Sequence, residues 1–147
     1  MIVEKGLAPE VADRIGEMVQ LRGKPLELLA ELRAKSVFGE HAGAAGALAE
    51  LDLLFKYLNA MGVLQHLTFD LSLARGLDYY TGVIYEAVLL DPSYGVGSIA
   101  AGGRYDNLVG MFASAGTVVP CVGVSIGVER LFAIMEAKAK AAHGGLK

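Results

Sequence analysis

Val83-Ile84-Tyr85-Glu86-Ala87-Val88-Leu89-Leu90-Asp91-Pro92-Ser93-Tyr94-Gly95 decides the fold. Residues 83–90 are apolar on both faces apart from Glu86, the pattern of a strand covered on both sides, and predict a central strand. Asp91-Pro92-Ser93-Tyr94-Gly95 is turn chemistry, and a link this short cannot carry a parallel crossover, which needs about a dozen residues. Residues 96–101 therefore return antiparallel. Residues 120–126 supply a further strand. Phe69, Leu71 and Leu73 alternate with Thr68, Asp70 and Ser72 as in a half-buried strand. A terminal helix is expected from Gly127 to about Ala142, with Val128, Leu131, Phe132 and Met135 inward.

Upstream the apolar period is helical. Pro9 suits the first helical position, Glu10 suits the positive end of the dipole, and Val11, Ile15, Met18 and Val19 share one face before Gly23 ends the run. Pro25 opens a second short helix. Leu48, Leu51, Phe55 and Leu58 form another stripe, with Gly62 where a left-handed cap belongs. Between them, residues 38–46 are looser, and Gly43-Ala44-Ala45-Gly46 reads as an interhelical loop or a mobile joint. The change of period near Leu67 divides a helical region, 1–66, from a mixed region, 67–147. The fold class is α+β: an antiparallel sheet flanked by helices, preceded by a small helical region.

The chain has 147 residues, enough for one core, and 54% hydrophobic against 20% charged residues exclude disorder as its main state. A net charge of -3 leaves no global attraction to a polyphosphate, so any nucleic acid is held by local geometry. One cysteine, Cys121, rules out a disulfide framework, and a reducing compartment fits. The N-terminus leads into an amphipathic helix instead of an apolar signal core. Residues 107–128 carry no charge, but their glycines, Pro120 and scattered polar residues suit buried strands and turns better than a membrane span. His41, His66 and His143 are spaced as solvated or capping residues, so no protein-bound metal is assigned.

Several segments carry chemistry. Gly95-Val96-Gly97-Ser98-Ile99-Ala100 fits a relaxed dinucleotide fingerprint, but a turn precedes it and no amphipathic helix follows, so a plain glycine-rich strand is the better reading. Ala74-Arg75-Gly76-Leu77-Asp78-Tyr79-Tyr80-Thr81-Gly82 packs a guanidinium, a carboxylate and two phenols between glycines. Arg75 offers a fork for phosphate or carboxylate, and Tyr79 and Tyr80 offer flat walls with polar tips; the alternative is Arg75 paired with Asp78 in a structural loop. In Ala101-Gly102-Gly103-Arg104-Tyr105-Asp106 the glycines let a ligand lie against the backbone, or serve a tight turn. Gly123-Val124-Ser125-Ile126-Gly127-Val128-Glu129-Arg130 alternates small with branched residues and puts Arg130 in a first helical turn, where a cation opposes the dipole.

Together, in this order, these three segments resemble the histidyl-tRNA synthetases. The alternation ending in Glu129-Arg130 is similar to motif 3 of class II aminoacyl-tRNA synthetases. Arg75-Gly76-Leu77-Asp78-Tyr79-Tyr80 and Gly102-Gly103-Arg104-Tyr105-Asp106 are similar to the family's two histidine signatures, and the wording from Leu73 to Glu86 resembles its eukaryotic cytosolic branch. The resemblance implies a class II synthetase-like core, with 67–147 as the second half of the catalytic domain and 1–66 as the end of the inserted helical domain. It implies ATP-dependent activation of L-histidine, assisted by Mg²⁺, followed by transfer to tRNA(His), in a cytoplasmic or mitochondrial homodimer without membrane attachment. By the same resemblance Arg75 meets the α-phosphate and the reacting carboxylate. Tyr79, Tyr80 and Tyr105 frame the imidazole over Gly102 and Gly103, while Arg130, with Gly127 and Glu129, contacts ATP. Motifs 1 and 2 are absent from the sequence. A non-catalytic, histidine-sensing module and a pure interaction fragment are the alternatives.

Overall fold

The computed structural model describes residues 6–74, 78–112 and 116–142. They belong to two compact units, Met1–Ala74 and Arg75–Lys147.

In the first unit, α1 (Pro9–Met18) starts at its proline as expected but stops short of Gly23. Arg22 and Gly23 instead form β1, paired antiparallel with β2 (Phe69–Asp70) in the register Arg22↔Asp70, Gly23↔Phe69. The expected inward stripe of α1 is half open: Val11 and Val19 are exposed, and none of its residues is buried. The core comes from α2 (Pro25–Ala34), which buries Leu28, Leu29 and Leu32, and from Phe55 of α3 (Ala42–Ala60). Phe55 meets Phe69 edge-on, ring centroids 5.5 Å apart. Arg33 ties α2 to α3, donating to the Leu48 carbonyl at 3.1 Å and pairing with Asp52 at 3.3 Å.

Two expectations for this unit change. Gly43-Ala44-Ala45-Gly46 is neither loop nor joint but the opening of α3, because the His41 ring nitrogen Nδ1 accepts the Ala44 N–H at 3.2 Å and caps the helix. The strand expected through Leu73 stops at Asp70, whose carboxylate accepts the Ser72 N–H at 2.8 Å and the Ser72 hydroxyl at 2.6 Å, turning the chain. Gly62 takes the left-handed conformation its position requires, φ 72°.

The second unit is a three-stranded antiparallel sheet in the order β3 (Ile84–Ala87), β4 (Ala100–Arg104), β5 (Val122–Ile126), followed by α4 (Val128–Ala142). The link between β3 and β4 runs over residues 88–99, longer than expected, and holds a 3₁₀ turn, Pro92–Tyr94, initiated by the Asp91 carboxylate accepting the Ser93 N–H at 2.9 Å and closed by Gly95 at φ 60°. β3 is an edge of this sheet, not its centre. The middle strand is β4, whose Ala101, Gly102 and Gly103 are buried. β4 begins at Ala100 instead of Val96, and residues 95–99 are loop, so the dinucleotide fingerprint lacks the helix it needs.

The terminal helix is placed as expected and turned differently. Ile134 is buried at 6% exposure, whereas Val128, Phe132 and Met135 are 72%, 67% and 67% exposed. At 100° per residue Ile134 lies about 60° round the helix from Leu131, the member of the expected stripe that is half-buried. The described residues of 107–128 form a 3₁₀ turn and β5 but are not buried as expected: Met111, Phe112, Val118 and Val122 are all exposed. Among the described residues no helix is long and apolar enough to cross a membrane.

Candidate active site

The sheet register builds the site. Tyr85 of β3 lies opposite Gly102 of β4, which lies opposite Val124 of β5, and Ile84, Gly103 and Gly123 form the next row. Without a side chain at Gly102, Tyr85 reaches across the middle strand, and its hydroxyl donates to the Gly123 carbonyl at 2.6 Å. The Tyr80 ring lies against Gly103, where a Cβ would come within 2.8 Å of the ring and 2.7 Å of the Val83 carbonyl oxygen. The Tyr105 hydroxyl fills the space where a Cβ on Gly123 would stand. Tyr79 completes the group, its ring centroid 4.7 Å from that of Tyr80 and 6.1 Å from that of Tyr105, the latter pair at 82°. Tyr79, Tyr80 and Tyr105 thus gather beside Gly103 and Gly123, and Tyr85, from the adjacent row, reaches the Gly123 carbonyl.

Burial pushes the Tyr85 hydroxyl above its ordinary pKa, and the nearby Tyr105 and Tyr80 phenols add to the shift. The hydroxyl therefore stays a neutral donor at physiological pH.

Below the phenols an ionic clasp holds the chain segments in place. Arg104 Nε donates to Asp106 Oδ2 at 2.8 Å and Oδ1 at 3.0 Å, and the Cys121 N–H donates to Oδ1 at 3.3 Å. The Asp106 N–H donates to Thr81 Oγ1 at 3.0 Å, the Thr81 N–H to the Arg104 carbonyl at 2.9 Å, and the Tyr105 N–H to the Cys121 carbonyl at 2.8 Å. The hydrogen bond from Arg104 is the main cause that holds the Asp106 carboxyl below the usual carboxylate range.

A second group of the expected residues sits at the far end of β5. Gly123 and Gly127 are four residues apart, about 13 Å at an extended strand's rise. The Gly127 N–H donates to the Ile99 carbonyl at 2.8 Å, and a Cβ on Gly127 would lie 3.4 Å from Arg130 Cδ. The Arg130 guanidinium donates to the Ser98 carbonyl and lies 3.3 Å from Ser98 Oγ, so a carbonyl dipole partly offsets its unfavourable place at the start of α4. Glu129 is exposed beside it.

Of the residues expected from the sequence, Tyr79, Tyr80, Tyr105, Gly102 and Gly103 come together. Arg130, Gly127 and Glu129 form a separate group, and Arg75 lies outside the described residues. Tyr85 and Gly123 were not expected as site residues. The signal for Tyr85 is its register opposite a glycine, which exists only once β3 and β4 are paired. Among the described residues no three of His, Cys, Asp or Glu cluster to hold a metal.

Comparison with known proteins fits this architecture. The histidyl-tRNA synthetase family profile matches residues 1–131. The cytoplasmic histidine-tRNA ligase of Oryza sativa subsp. japonica is 60% identical over 137 residues, covering 92% of this chain and 17% of that protein. The human mitochondrial histidine-tRNA ligase is 54% identical over 147 residues, covering 95% of this chain and 29% of that protein. The crystal structure of histidyl-tRNA synthetase from Nostoc sp. PCC 7120 superposes with a TM-score of 0.78 at 32% identity, over 94% of this chain and 32% of that one. The chain thus spans 17% and 29% of the length of these two curated relatives. Ordered signatures, an α+β fold and a profile match over most of the length agree: the chain belongs to the histidyl-tRNA synthetase family.

Proposed function

We propose that this chain forms the amino-acid wall and part of the nucleotide wall of a histidine-tRNA ligase. The observation that carries the reading is the gathering of Tyr79, Tyr80 and Tyr105, with Tyr80 against Gly103 and Tyr105 against Gly123. An imidazole is planar, with one nitrogen that donates and one that accepts. Phenol rings supply flat walls for it, and their hydroxyls can take either role. Gly103 and Gly123 let the Tyr80 ring and the Tyr105 hydroxyl themselves lie close to the backbone.

In the complete enzyme the histidine carboxylate attacks the α-phosphorus of ATP, pyrophosphate leaves, and the adenylate then acylates tRNA(His). This chain's residues bind and orient. Tyr80 and Tyr105 read the imidazole, and Arg75 meets the carboxylate and α-phosphate with its two-pronged fork. Arg130, near Gly127 and Glu129, contacts ATP. The spacing of about 13 Å between the phenol cluster and Gly127 suits an elongated ligand with histidine at one end and nucleotide at the other. Mg²⁺ would enter with the nucleotide's phosphates, with Glu129 as the candidate carboxylate beside them. Residues 67–147 stand as the second half of the catalytic domain and 1–66 as the end of the inserted domain that approaches tRNA. The complete protein is a homodimer of the cytoplasm or mitochondrion.

The test is ATP-pyrophosphate exchange in a full-length family ligase carrying this segment. A pocket built to hydrogen-bond its substrate leaves buried groups unpaired when one partner is removed, so Tyr80→Phe or Tyr105→Phe should raise the histidine KM roughly ten-fold. An unchanged histidine KM in both variants would reject the assignment.

A further inference from the structure

We propose that Tyr85 is a positioning residue for the histidine pocket, fixing from across the sheet the backbone on which Tyr105 rests. This deepens the histidine reading above and depends on it.

Three contacts meet at Gly123. The Tyr85 hydroxyl, coming from β3 over Gly102, donates to its carbonyl at 2.6 Å. The Tyr105 hydroxyl stands against its α-carbon, in the place a side chain would occupy. In the same row Gly103, paired with Gly123, carries the Tyr80 ring. A residue without a side chain is the most freely deformed part of a strand, so its position depends on what holds its backbone polar groups. Tyr85 is such a hold. A shift of Gly123 moves the surface against which the Tyr105 hydroxyl stands, so the hydroxyl of one tyrosine governs the placement of the other. Tyr85 itself need not touch the ligand.

The alternative role for Tyr85 is to fill space between strands, and the two roles separate in a double-mutant cycle. Tyr85→Phe keeps the ring and removes the hydroxyl, while Tyr105→Phe removes the reading group itself. In a full-length ligase carrying this segment, Tyr85→Phe should raise the histidine KM about five-fold, with the ATP KM and kcat held within about two-fold. Because Tyr85 acts through Tyr105, the double variant should bind histidine no worse than Tyr105→Phe alone. Gly123→Ala, whose methyl would fall on the Tyr105 hydroxyl, should raise the histidine KM with Tyr85 intact, and it serves as the second route if Tyr85→Phe does not accumulate folded.

Strictly additive effects would overturn the proposal, as would a parallel loss in histidine KM, ATP KM and kcat, or a histidine KM unmoved by Gly123→Ala. A rise with Tyr105→Phe and none with Tyr85→Phe would remove the role from Tyr85 and leave the histidine pocket standing. No rise in either would remove both.

Discussion

Asp106 shows how one side chain is committed by its partners. Its carboxylate takes Arg104 Nε on both oxygens and the Cys121 N–H on one, joining the end of β4 to the approach of β5. The Arg104 hydrogen bond is the leading cause of its lowered pKa, and burial opposes it. A carboxyl whose folded pKa lies below its unfolded value stabilises the fold at neutral pH. That contribution is complete above the ordinary value of 3.8 and drains away as pH falls below it, through the lower folded value. Asp106→Asn should therefore lower the thermal midpoint at neutral pH, and the parent and variant curves should converge in the acid window below about pH 4. A constant separation between the two midpoints from neutral pH to pH 2 would show that the ionised clasp does not hold these segments. The same residue scale explains the glycines at the site. At Gly103 even a methyl would meet both the Val83 carbonyl oxygen and the Tyr80 ring, so the absence of a Cβ is what lets the phenol lie on the strand.

Among the elements, α3 departs most from its sequence pattern. Gly43 and Gly46 suggest a joint, yet the His41 ring accepts the Ala44 N–H and the helix runs unbroken from Ala42 to Ala60. Glycine in a helix interior costs backbone entropy relative to alanine, and a Cβ on Gly46 would meet nothing within 4 Å. Gly46→Ala should stabilise the chain by about 0.5–1 kcal/mol, read from urea unfolding followed by helical circular dichroism. No gain, or a loss, would return this segment to the joint its composition suggests. The edge strand β3 makes the complementary point: its apolar run suits a central position, but among the described residues only β4 pairs with it.

For the whole molecule, the governing fact is the apolar surface left open. Val122, Val124 and Ile126 of β5 are exposed at alternate positions, and so are Val128, Phe132 and Met135 of α4. Exposed apolar area on this scale marks surface that other protein covers. In the proposed reading the site is one-sided in the same way, since the tyrosines and Arg130 would hold histidine and ATP from one wall, and positioning catalysis needs both. The purified chain should therefore give no measurable ATP-pyrophosphate exchange with histidine and Mg²⁺. Exchange should appear when the remaining part of a family ligase's catalytic domain is added in trans. Robust exchange by the chain alone would show that these residues form a complete site.

What the sequence by itself determined are the features whose physics is local. Proline at a first helical position starts α1 and α2 wherever they pack, and a missing Cβ admits the left-handed backbone at Gly62 and Gly95. Turn chemistry from Asp91 to Gly95 marks the reversal, although the paired strands stop at Ala87 and resume at Ala100, and the tyrosine and glycine signatures are legible because their chemistry is unusual at that spacing. Tertiary structure decided the rest. Whether α4 turns Ile134 or Phe132 inward depends on what lies beneath it, since both lie on apolar stripes of the helix. The end of β2 depends on β1 and on the Asp70 turn, for an alternating pattern continues in sequence after its partner has run out. Tyr85 entered the site only through pairing: a tyrosine in a strand acquires its partner on β5 when the residue between them is Gly102, and that juxtaposition is a property of three strands.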